Sequence, residues 1–127
     1  LQRASLMVAD LAILPCGPTP MDIWALQGTL DVVLEARTIR PELRAAVLVT
    51  KKLGRTSLAA RARAGLAEAQ LPLLRTELGH RVTYQEALAA GAGPTTFQPK
   101  SAAAAEVRAL VDEIESLFAA TSTEEVS

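Results

Sequence analysis

The sequence predicts an α/β protein, a three-layer α/β/α arrangement around a parallel sheet. Short runs of apolar residues recur along the 127-residue chain, and segments whose apolar residues repeat with helical spacing separate them. Proline, glycine or polar loops stand between these segments. Strands that alternate with helices form parallel sheets with right-handed crossovers. Three strands make a thin sheet, so the pattern fits half of a doubly wound domain.

The first strand and the long helix after it have clear sequence signals. Residues 2–9 predict the end of a short helix, and residues 11–14 form an apolar run that a proline closes. After a proline-rich loop, Thr19 is placed to cap the next helix, with Pro20 at its first position. This helix should end before Pro41. Its core-facing residues repeat with helical spacing and are Ile23, Leu26, Leu30, Val33 and Leu34.

The middle of the chain predicts two further strands with a helix between them. Residues 46–50 form a second buried run, which a polar loop follows. Residues 57–69 carry apolar residues at helical spacing, and Pro72 ends that helix. Residues 73–76 predict a third, weaker strand. This order supplies the alternation that a parallel sheet requires.

The last third of the chain predicts two helices joined by a loop. Thr83 and Glu86, three residues apart, fit a capping box that opens a short helix ending at Gly91. Residues 91–100 predict a loop, after which Ser101 caps a long final helix. The apolar residues of that helix are Val107, Leu110, Val111, Ile114, Leu117 and Phe118.

Length and composition exclude several classes of protein. The length is that of one domain, which we expect over residues 1–120, with a flexible tail at 121–127. Half of the residues are hydrophobic, which excludes a disordered chain. One cysteine excludes a disulfide framework, and one cysteine with one histidine leaves a metal centre short of ligands. No apolar run approaches the roughly 18 residues of a membrane span and no signal peptide opens the sequence, so we expect a cytoplasmic protein without a metal site.

Charge is distributed unevenly, although the formal net charge is only −1. Residues 37–63 contain eight basic side chains and one acidic side chain, a net charge of +7. Such a segment binds phosphate or nucleic acid, or it forms a solvated helix face. The candidate DNA-binding residues are Arg40, Arg44, Arg55, Arg61 and Arg63.

Common catalytic motifs are missing from the sequence. It contains no G-x-x-x-x-G-K-[ST] phosphate loop, no G-x-G-x-x-G dinucleotide motif and no G-x-S-x-G nucleophile elbow. Cys16 and His80 follow predicted strands, where doubly wound proteins bind ligands, but a structural cysteine and a loop histidine are the simpler interpretations. Glu113 and Glu115 are expected on the solvated side of the last helix. We predict no catalytic residue in the chain.

Several segments resemble the ParA-type partition ATPases. Residues 7–15, MVADLAILP, and residues 18–22, PTPMD, resemble the family segment a-D-l-v-i-P-v-x-P-S-P-x-D. Residues 47–52, VLVTKK, and residues 81–91 resemble later family segments and follow in the same order. The resemblance covers residues 1–120 and is closest to the short, ParF-like subgroup.

The resemblance implies the carboxyl-terminal half of a P-loop NTPase-type domain. In the family, the K-G-G-x-G-K-[ST]-T phosphate loop and its acidic partners precede the matched segment, and this sequence contains none of them. The resemblance therefore implies ATP or ADP with Mg²⁺ in the complete protein, and no cofactor or ATP hydrolysis for these residues alone. It also implies a homodimer that segregates plasmid or chromosomal DNA, binds DNA without sequence preference and acts with a centromere-binding partner protein. The chain begins at Leu1 rather than Met, which fits a segment of a longer protein.

The resemblance further implies a nucleotide-binding surface at the carboxyl ends of the second and third strands, where parallel sheets bind ligands. The expected nucleotide-binding residues are Thr50, Lys51, Lys52, Gly79, His80 and Arg81. For Lys51 and Lys52, the alternative is an ordinary solvated loop.

A dimer interface is expected at the proline-rich loop and the helix that follows it. A large aromatic side chain on a polar helix face indicates a contact surface. The alternatives are a stiff loop that starts a helix, and a tryptophan half-buried against the preceding strand or against the missing half of the domain. The expected interface residues are Pro18, Thr19, Pro20, Met21, Asp22 and Trp24.

Two other functions stay open at the level of sequence. The chain fits a non-catalytic α/β interaction module that never had a phosphate loop, and it fits another dimeric ATPase of the MinD/ParA superfamily. Residues 106–118 carry net negative charge, and anionic membranes repel such a helix, so we expect no membrane partner. A phosphate-loop sequence upstream of Leu1 would favour the enzyme, and an upstream stop codon would favour the module.

Overall fold

The computed structural model describes residues 2–52, 64 and 71–126. The chain divides into two compact units, Leu1–Leu74 and Arg75–Ser127. The helix predicted over residues 57–69 falls almost wholly outside the described residues. The described elements, in chain order, are α1 (Gln2–Leu6), β1 (Leu11–Cys16), α2 (Pro20–Ile39), β2 (Arg44–Lys52), β3 (Leu73–Gly79), α3 (Val82–Ala89), α4 (Pro94–Phe97) and α5 (Ala102–Val126).

The three strands form one sheet in the order β1-β2-β3. β1 and β2 are parallel, and their register runs from Leu11 opposite Arg44 to Cys16 opposite Val49. The predicted α/β class, with a parallel sheet and flanking helices, is confirmed. The strands extend further than the apolar runs alone indicated, because the ends of β2 and β3 contain polar residues.

β2 is buried on both faces. Ala45, Val47 and Val49 share a core cluster with residues of α2, and Ala46 and Leu48, which alternate with them, are buried as well. A strand that shields both of its faces needs a continuous apolar run, and the sequence supplies one. The apolar run therefore identified the central strand of the sheet correctly.

α2 covers one side of the first unit. It begins at Pro20 with Thr19 as its N-cap, and it ends at Ile39 before the proline at position 41, as predicted. Its buried stripe is narrower than the predicted one, because Ile23 and Leu34 are only partly buried at its margin. The buried residues of α2 are Leu26, Leu30, Val33 and Ala36.

The start of α3 corrects one prediction. The helix begins at Val82, and its N-cap is Arg81, which makes no side-chain capping bond, so the capping box predicted for Thr83 and Glu86 is wrong. Instead, Glu106 of α5 accepts hydrogen bonds from Arg81 Nε at 2.8 Å and from Tyr84 Oη at 2.7 Å. These long-range contacts hold the first turn in place, and a local capping motif has no part in it.

The ends of the remaining helices follow the sequence more closely. Gly91 has a φ of 73°, the left-handed conformation that commonly follows a helix, and it lies just beyond α3. The predicted loop contains the short helix α4, which begins at Pro94. Ser101 Oγ accepts a hydrogen bond from the Ala104 N–H at 3.1 Å, which confirms the predicted cap of α5. α5 is helical as far as Val126, and the flexible tail expected at 121–127 stays a prediction.

Carboxylates of α5 bind backbone N–H groups of β3. Glu113 accepts hydrogen bonds from the Arg75 N–H at 2.7 Å and from the Thr76 N–H at 2.9 Å, and Glu106 accepts one from the Gly79 N–H at 3.1 Å. The prediction that Glu113 is a solvated surface residue is therefore wrong, because its carboxylate binds the backbone of β3. Unpaired strand edges invite edge-to-edge association, and such contacts satisfy these groups within the chain.

Hydrogen bonding shifts the acid–base behaviour of both glutamates. Burial acts to raise the pKa of Glu113, but the Thr76 and Arg75 N–H groups outweigh it and hold that pKa below the ordinary value of 4.5. Burial of Glu106 is likewise outweighed by the bonds from Tyr84, Arg81 and Gly79, so its pKa is also lowered.

Within the described residues, no helix is both long enough and apolar enough to cross a membrane.

We predict that Glu113→Gln lowers the free energy of unfolding by about 1 kcal/mol at neutral pH, because an amide offers one acceptor oxygen where the carboxylate offers two. A carboxylate whose pKa is lowered by folding stabilises the protein above its unfolded pKa and loses that contribution as the pH falls through its folded pKa. The difference between variant and wild type should therefore shrink below pH 4.5. Urea unfolding at pH 7 and pH 3 measures it.

The matched control is Glu115→Gln, at an exposed position two residues further along α5. It should change the stability by less than about 0.5 kcal/mol at either pH. Equal effects of the two substitutions would contradict a structural role for Glu113.

Candidate functional site

The loop after β1 is closed by reciprocal hydrogen bonds between Thr19 and Asp22. The Thr19 hydroxyl donates to Asp22 Oδ2 at 2.6 Å and accepts from the Asp22 N–H at 3.1 Å, while the Thr19 N–H donates to Asp22 Oδ2 at 3.2 Å. The capping box that the sequence placed at α3 is thus found at α2, with aspartate in the third helical position. The Thr19 hydroxyl and N–H hold the pKa of Asp22 below its ordinary value of 3.8, and Lys51 adds to this effect.

Gly17 is buried beneath this box. A side chain at position 17 would collide with the Asp22 carboxylate, with its Cβ 2.8 Å from Asp22 Cγ. The absence of a side chain therefore lets the chain turn from β1 into α2 with the carboxylate folded back on Thr19.

Lys51 lies at the adjacent end of β2. The register of the two strands sets Cys16 opposite Val49, and β2 continues three residues beyond that pair, to Lys52. Lys51 is exposed and has a φ of 56°, a conformation that residues other than glycine adopt rarely. The structure therefore brings together Asp22 of the predicted dimer surface and Lys51 of the predicted nucleotide surface.

Thr50 and Lys52 flank Lys51 and are both half-buried. The other half of the predicted nucleotide set, residues 79–81, belongs to the second unit. There His80 is exposed, and Arg81 is paired with Glu106 at 2.8 Å. A single site formed from all six residues stays a prediction.

Glu106 is the residue that sequence reasoning missed in the second unit. Its side chain is 17% exposed and accepts hydrogen bonds from three groups of the β3–α3 region. Burial, followed by the hydrogen bond to Glu106, raises the pKa of Tyr84 well above its ordinary value. Tyr84 therefore stays protonated and acts as a donor that fixes the carboxylate. The only sequence signal was the position of Glu106 on the first turns of α5.

The predicted dimer surface is partly exposed. Pro18 is buried and contributes to the loop interior, whereas Thr19 and Pro20 are exposed. Met21 and Trp24 are each 75% exposed. Trp24 is therefore not packed against the preceding strand, and its burial against the missing half of the domain stays a prediction.

Of the predicted DNA-binding residues, Arg40 has extensive structural contacts. Its Nη1 donates to the carbonyl oxygens of Leu6 and Ala9, each at 2.9 Å, and its Nε pairs with Glu42 at 3.2 Å. The Arg40 side chain is 19% exposed and connects the end of α2 to the α1–β1 turn. Arg44 is half-buried at the start of β2. The other three, Arg55, Arg61 and Arg63, lie outside the described residues.

A groove of about 680 Å³ runs between β1 and α2. The Asp10 carbonyl accepts a hydrogen bond from the Arg44 N–H, so the backbone groups of Asp10 face β2. Because alternate residues of a strand direct their backbone groups to opposite edges, those of Leu11, Ile13 and Pro15 point away from β2. Among the described residues no strand pairs with this outer edge of β1. Proline lacks an N–H and is tolerated in a strand at an edge position such as this one.

Cys16 lines the same groove but is 3% exposed, and its Sγ donates to the Gly17 carbonyl at 3.3 Å. Burial, and then the Asp22 carboxylate, raise the pKa of its thiol above the ordinary value. A thiol that is hard to deprotonate is a poor nucleophile, which favours the structural interpretation. In the part of the chain that the structure describes, no group of three or more His, Cys, Asp or Glu residues is arranged to hold a metal ion.

We predict that Gly17→Ala lowers the melting temperature by about 5 °C, because the added methyl group displaces the Asp22 carboxylate and breaks the capping box. The matched control is Gly28→Ala on the exposed face of α2, where an added Cβ meets no described atom within 4 Å. That change should leave the protein equally stable or stabilise it, because alanine favours a helix over glycine. Thermal unfolding followed by circular dichroism compares them, and a harmless Gly17→Ala would refute the steric argument.

Comparison with known proteins gives a distant relationship. No protein-family model matches the chain. The chain is 24% identical over 106 residues to a protein named Maintenance of carboxysome distribution protein A, from Halothiobacillus neapolitanus. The similarity covers 83% of this chain and 49% of that protein, so the chain spans about half the length of this curated relative. Similarity at this level supports a relationship to ParA/MinD-like ATPases and nothing narrower.

Proposed function

We propose that this chain is the carboxyl-terminal half of a ParA-like ATPase that positions a cellular cargo. The observation that carries the proposal is the similarity to the carboxysome distribution protein, which extends over 83% of the chain. The parallel sheet and the β1–α2 connection support it, because residues 18–22, in this loop and the first turn of α2, are among those through which the sequence resembles the partition ATPases.

In this proposal the carboxyl end of β2 contacts the base side of ATP or ADP. Lys51 supports this role, since its ammonium group is exposed at the carboxyl end of a parallel strand, close to the N-terminus of α2. Thr50, Lys52, Gly79, His80 and Arg81 complete the proposed contact set. The phosphates and Mg²⁺ are bound by polypeptide that lies outside these 127 residues, because the sequence contains no phosphate loop.

The groove beside β1 receives that additional polypeptide. Its walls are apolar side chains of β1 and α2, including Ile13, Leu26 and Val32, and its floor is the outer edge of β1. An added strand would pair with the outward N–H groups of Leu11 and Ile13 and cover the apolar walls. The non-catalytic interaction module remains the second candidate function, because the same groove fits an extended segment of another protein.

The cargo and the partners belong to the finer part of the proposal. The name of the relative concerns the distribution of carboxysomes, whereas the sequence resembles partition ATPases that segregate plasmid or chromosomal DNA. Both are positioning tasks, so we propose a homodimer that binds DNA without sequence preference as its track and a cargo-bound partner protein. In a partition system that partner is a centromere-binding protein. No membrane partner is proposed.

We predict that the Lys51→Ala, Lys52→Ala double variant of the longer protein binds ATP at least 10-fold more weakly than wild type. Each lost charge-assisted contact is worth about 1.5 kcal/mol or less at a partly exposed site, and a factor of ten corresponds to about 1.4 kcal/mol. Isothermal titration with ATP and Mg²⁺ measures the affinity.

The control is Lys100→Ala, which removes an exposed lysine before α5. It should bind ATP as wild type does. Unchanged affinity in the double variant would remove the lysines from the site, and a longer protein that binds no nucleotide at all would refute the ATPase proposal.

We predict that DNA binding by the nucleotide-bound dimer depends steeply on salt and on the arginines of residues 37–63. Each phosphate contact releases condensed counterion and contributes a slope of about −0.9 to a plot of log affinity against log salt concentration. The Arg55→Ala, Arg61→Ala, Arg63→Ala variant should lose about one unit of slope for each arginine that contacts a phosphate.

Arg108→Ala, on the exposed side of α5, serves as the control and should leave the slope unchanged. Arg40→Ala is expected to destabilise the fold, since its guanidinium is already bonded to Leu6 and Ala9. A triple variant with the wild-type slope would contradict the DNA-binding role of this segment.

A further inference from the structure

Three donors of the second unit converge on one carboxylate, that of Glu106 in α5. The Gly79 N–H, at the end of β3, and the Tyr84 hydroxyl, in the first turn of α3, both donate to its Oε2, at 3.1 Å and 2.7 Å. Arg81 Nε donates to the other oxygen, Oε1, at 2.8 Å. Since these donors stand on both sides of the turn between β3 and α3, Glu106 fixes where that turn begins and where it ends.

Gly79 permits the close approach of this ion pair. A Cβ added at position 79 would lie 3.1 Å from Arg81 Nε and 3.2 Å from Glu106 Oε1, closer than most Cβ contacts in proteins. The pair therefore lies directly over the backbone at position 79. His80, the next residue, is exposed. The carboxylate thus holds the residues on both sides of an exposed histidine.

Glu106 is one of two points at which α5 is attached to β3. It lies seven residues before Glu113, which is two helical turns or about 10.5 Å along α5. The backbone N–H groups that the two carboxylates bind, at residues 75–76 and 79, are three to four residues apart, or about 10–13 Å along a strand. The helix therefore runs antiparallel to the strand with both carboxylates in register. Glu113 holds the start of the strand, whereas Glu106 holds its end and the turn as well.

We propose that Glu106 is the positioning residue of the β3–α3 turn, and that it holds Gly79 and Arg81 so that His80, between them, contacts the base of ATP or ADP. This inference rests on the proposed function, which assigns residues 79–81 to the nucleotide contact set. A turn binds a ligand well when its backbone already has the bound conformation, because ordering it during binding costs affinity. Glu106 acts through the turn and contacts no nucleotide itself.

A carboxylate at position 106 serves all three donors, and an amide does not. Both carboxylate oxygens accept hydrogen bonds, whereas a glutamine has one acceptor oxygen and one NH₂ group that only donates. If the amide oxygen faces Gly79 and Tyr84, the NH₂ group meets Arg81 Nε and that contact is lost. If the oxygen faces Arg81, the NH₂ group meets the Gly79 N–H instead. Glu106→Gln therefore releases one side of the turn and hardly changes the size of the side chain.

The test uses the longer protein and two ligands, ATP and tripolyphosphate, each with Mg²⁺. Tripolyphosphate has the phosphate chain and lacks the base, so its affinity reports on the phosphate site alone. We expect Glu106→Gln to weaken ATP binding by about 5-fold or more and to leave tripolyphosphate binding within about 2-fold of wild type. The matched control is Glu113→Gln, which cuts the other attachment of α5 and should bind both ligands as wild type does.

His80→Ala tests the route of the effect. It should weaken ATP binding by a similar factor. The His80→Ala, Glu106→Gln double variant should bind ATP no more weakly than His80→Ala alone, because a group that acts through His80 has no effect once His80 is removed. Tyr84→Phe removes one donor, keeps the carboxylate and should weaken ATP binding by about 2-fold, which provides a second measurement if Glu106→Gln folds poorly.

Wild-type ATP affinity in Glu106→Gln would overturn the inference and leave the proposed ATPase intact. Equal losses in Glu106→Gln and Glu113→Gln, or parallel losses of ATP and tripolyphosphate binding, would mean that Glu106 supports only the fold, and would overturn the inference as well. Additive losses in the double variant would overturn the route through His80. A wild-type longer protein that binds neither ligand would refute the proposed function, and the inference with it.

Discussion

Burial of β2 on both faces is the constraint on which the first unit depends. A strand without a solvated face must have apolar side chains at every position and complete backbone pairing, and residues 45–49 meet the first requirement. The parallel pairing with β1 meets the second along one edge. A parallel neighbour can be reached only through a crossover, so the chain must place α2 between the two strands. The cap at Thr19, the close approach at Gly17 and the apolar stripe of α2 all follow from this need.

The same constraint positions the chemistry. Since β1 and β2 are parallel and in register, their carboxyl ends lie at one edge, with Lys51 near the end of β2 and Asp22 in the first turn of the helix that follows β1. Asp22, held by Thr19, and Lys51, in a left-handed conformation, come together there although 29 positions separate them in the numbering. Neither residue alone indicates a site. The candidate site is defined by their proximity, since both belong to segments through which the sequence resembles the partition ATPases.

Local signals predicted much of this fold, and long-range contacts account for most of what they missed. Thr19 with Pro20, and the proline at position 41, marked both ends of α2, because a cap and a missing N–H act within one turn of chain. The capping box predicted at Thr83 is wrong, because the start of α3 is set by Glu106, more than twenty residues away. The role of Glu113 was hidden for the same reason. A carboxylate on a helix surface looks solvated in sequence until the strand that it contacts is known.

In the candidate site, too, the sequence predicted what local signals determine and missed what long-range contacts determine. The sequence identified the three strands and the exposed Trp24 from local periodicity, although each strand runs two or three residues past its predicted carboxyl end. It did not indicate the backbone conformation of Lys51 or the structural contacts of Arg40, whose partners are main-chain carbonyls that carry no sequence signature.

Pro15 has a consequence for any strand that joins β1. The outer edge presents N–H donors at Leu11 and Ile13 and then, at the next outward position, a carbonyl with no donor beside it. An incoming strand slid by two residues would set one of its carbonyls against the proline and leave it without a partner. The edge of β1 thus sets the register of an added strand as well as its attachment. At the far end of the order β1-β2-β3, the Arg75 and Gly79 N–H groups are already occupied by Glu113 and Glu106. Among the described residues, the outer edge of β1 is therefore where a further strand would join the sheet, in an alignment that Pro15 sets.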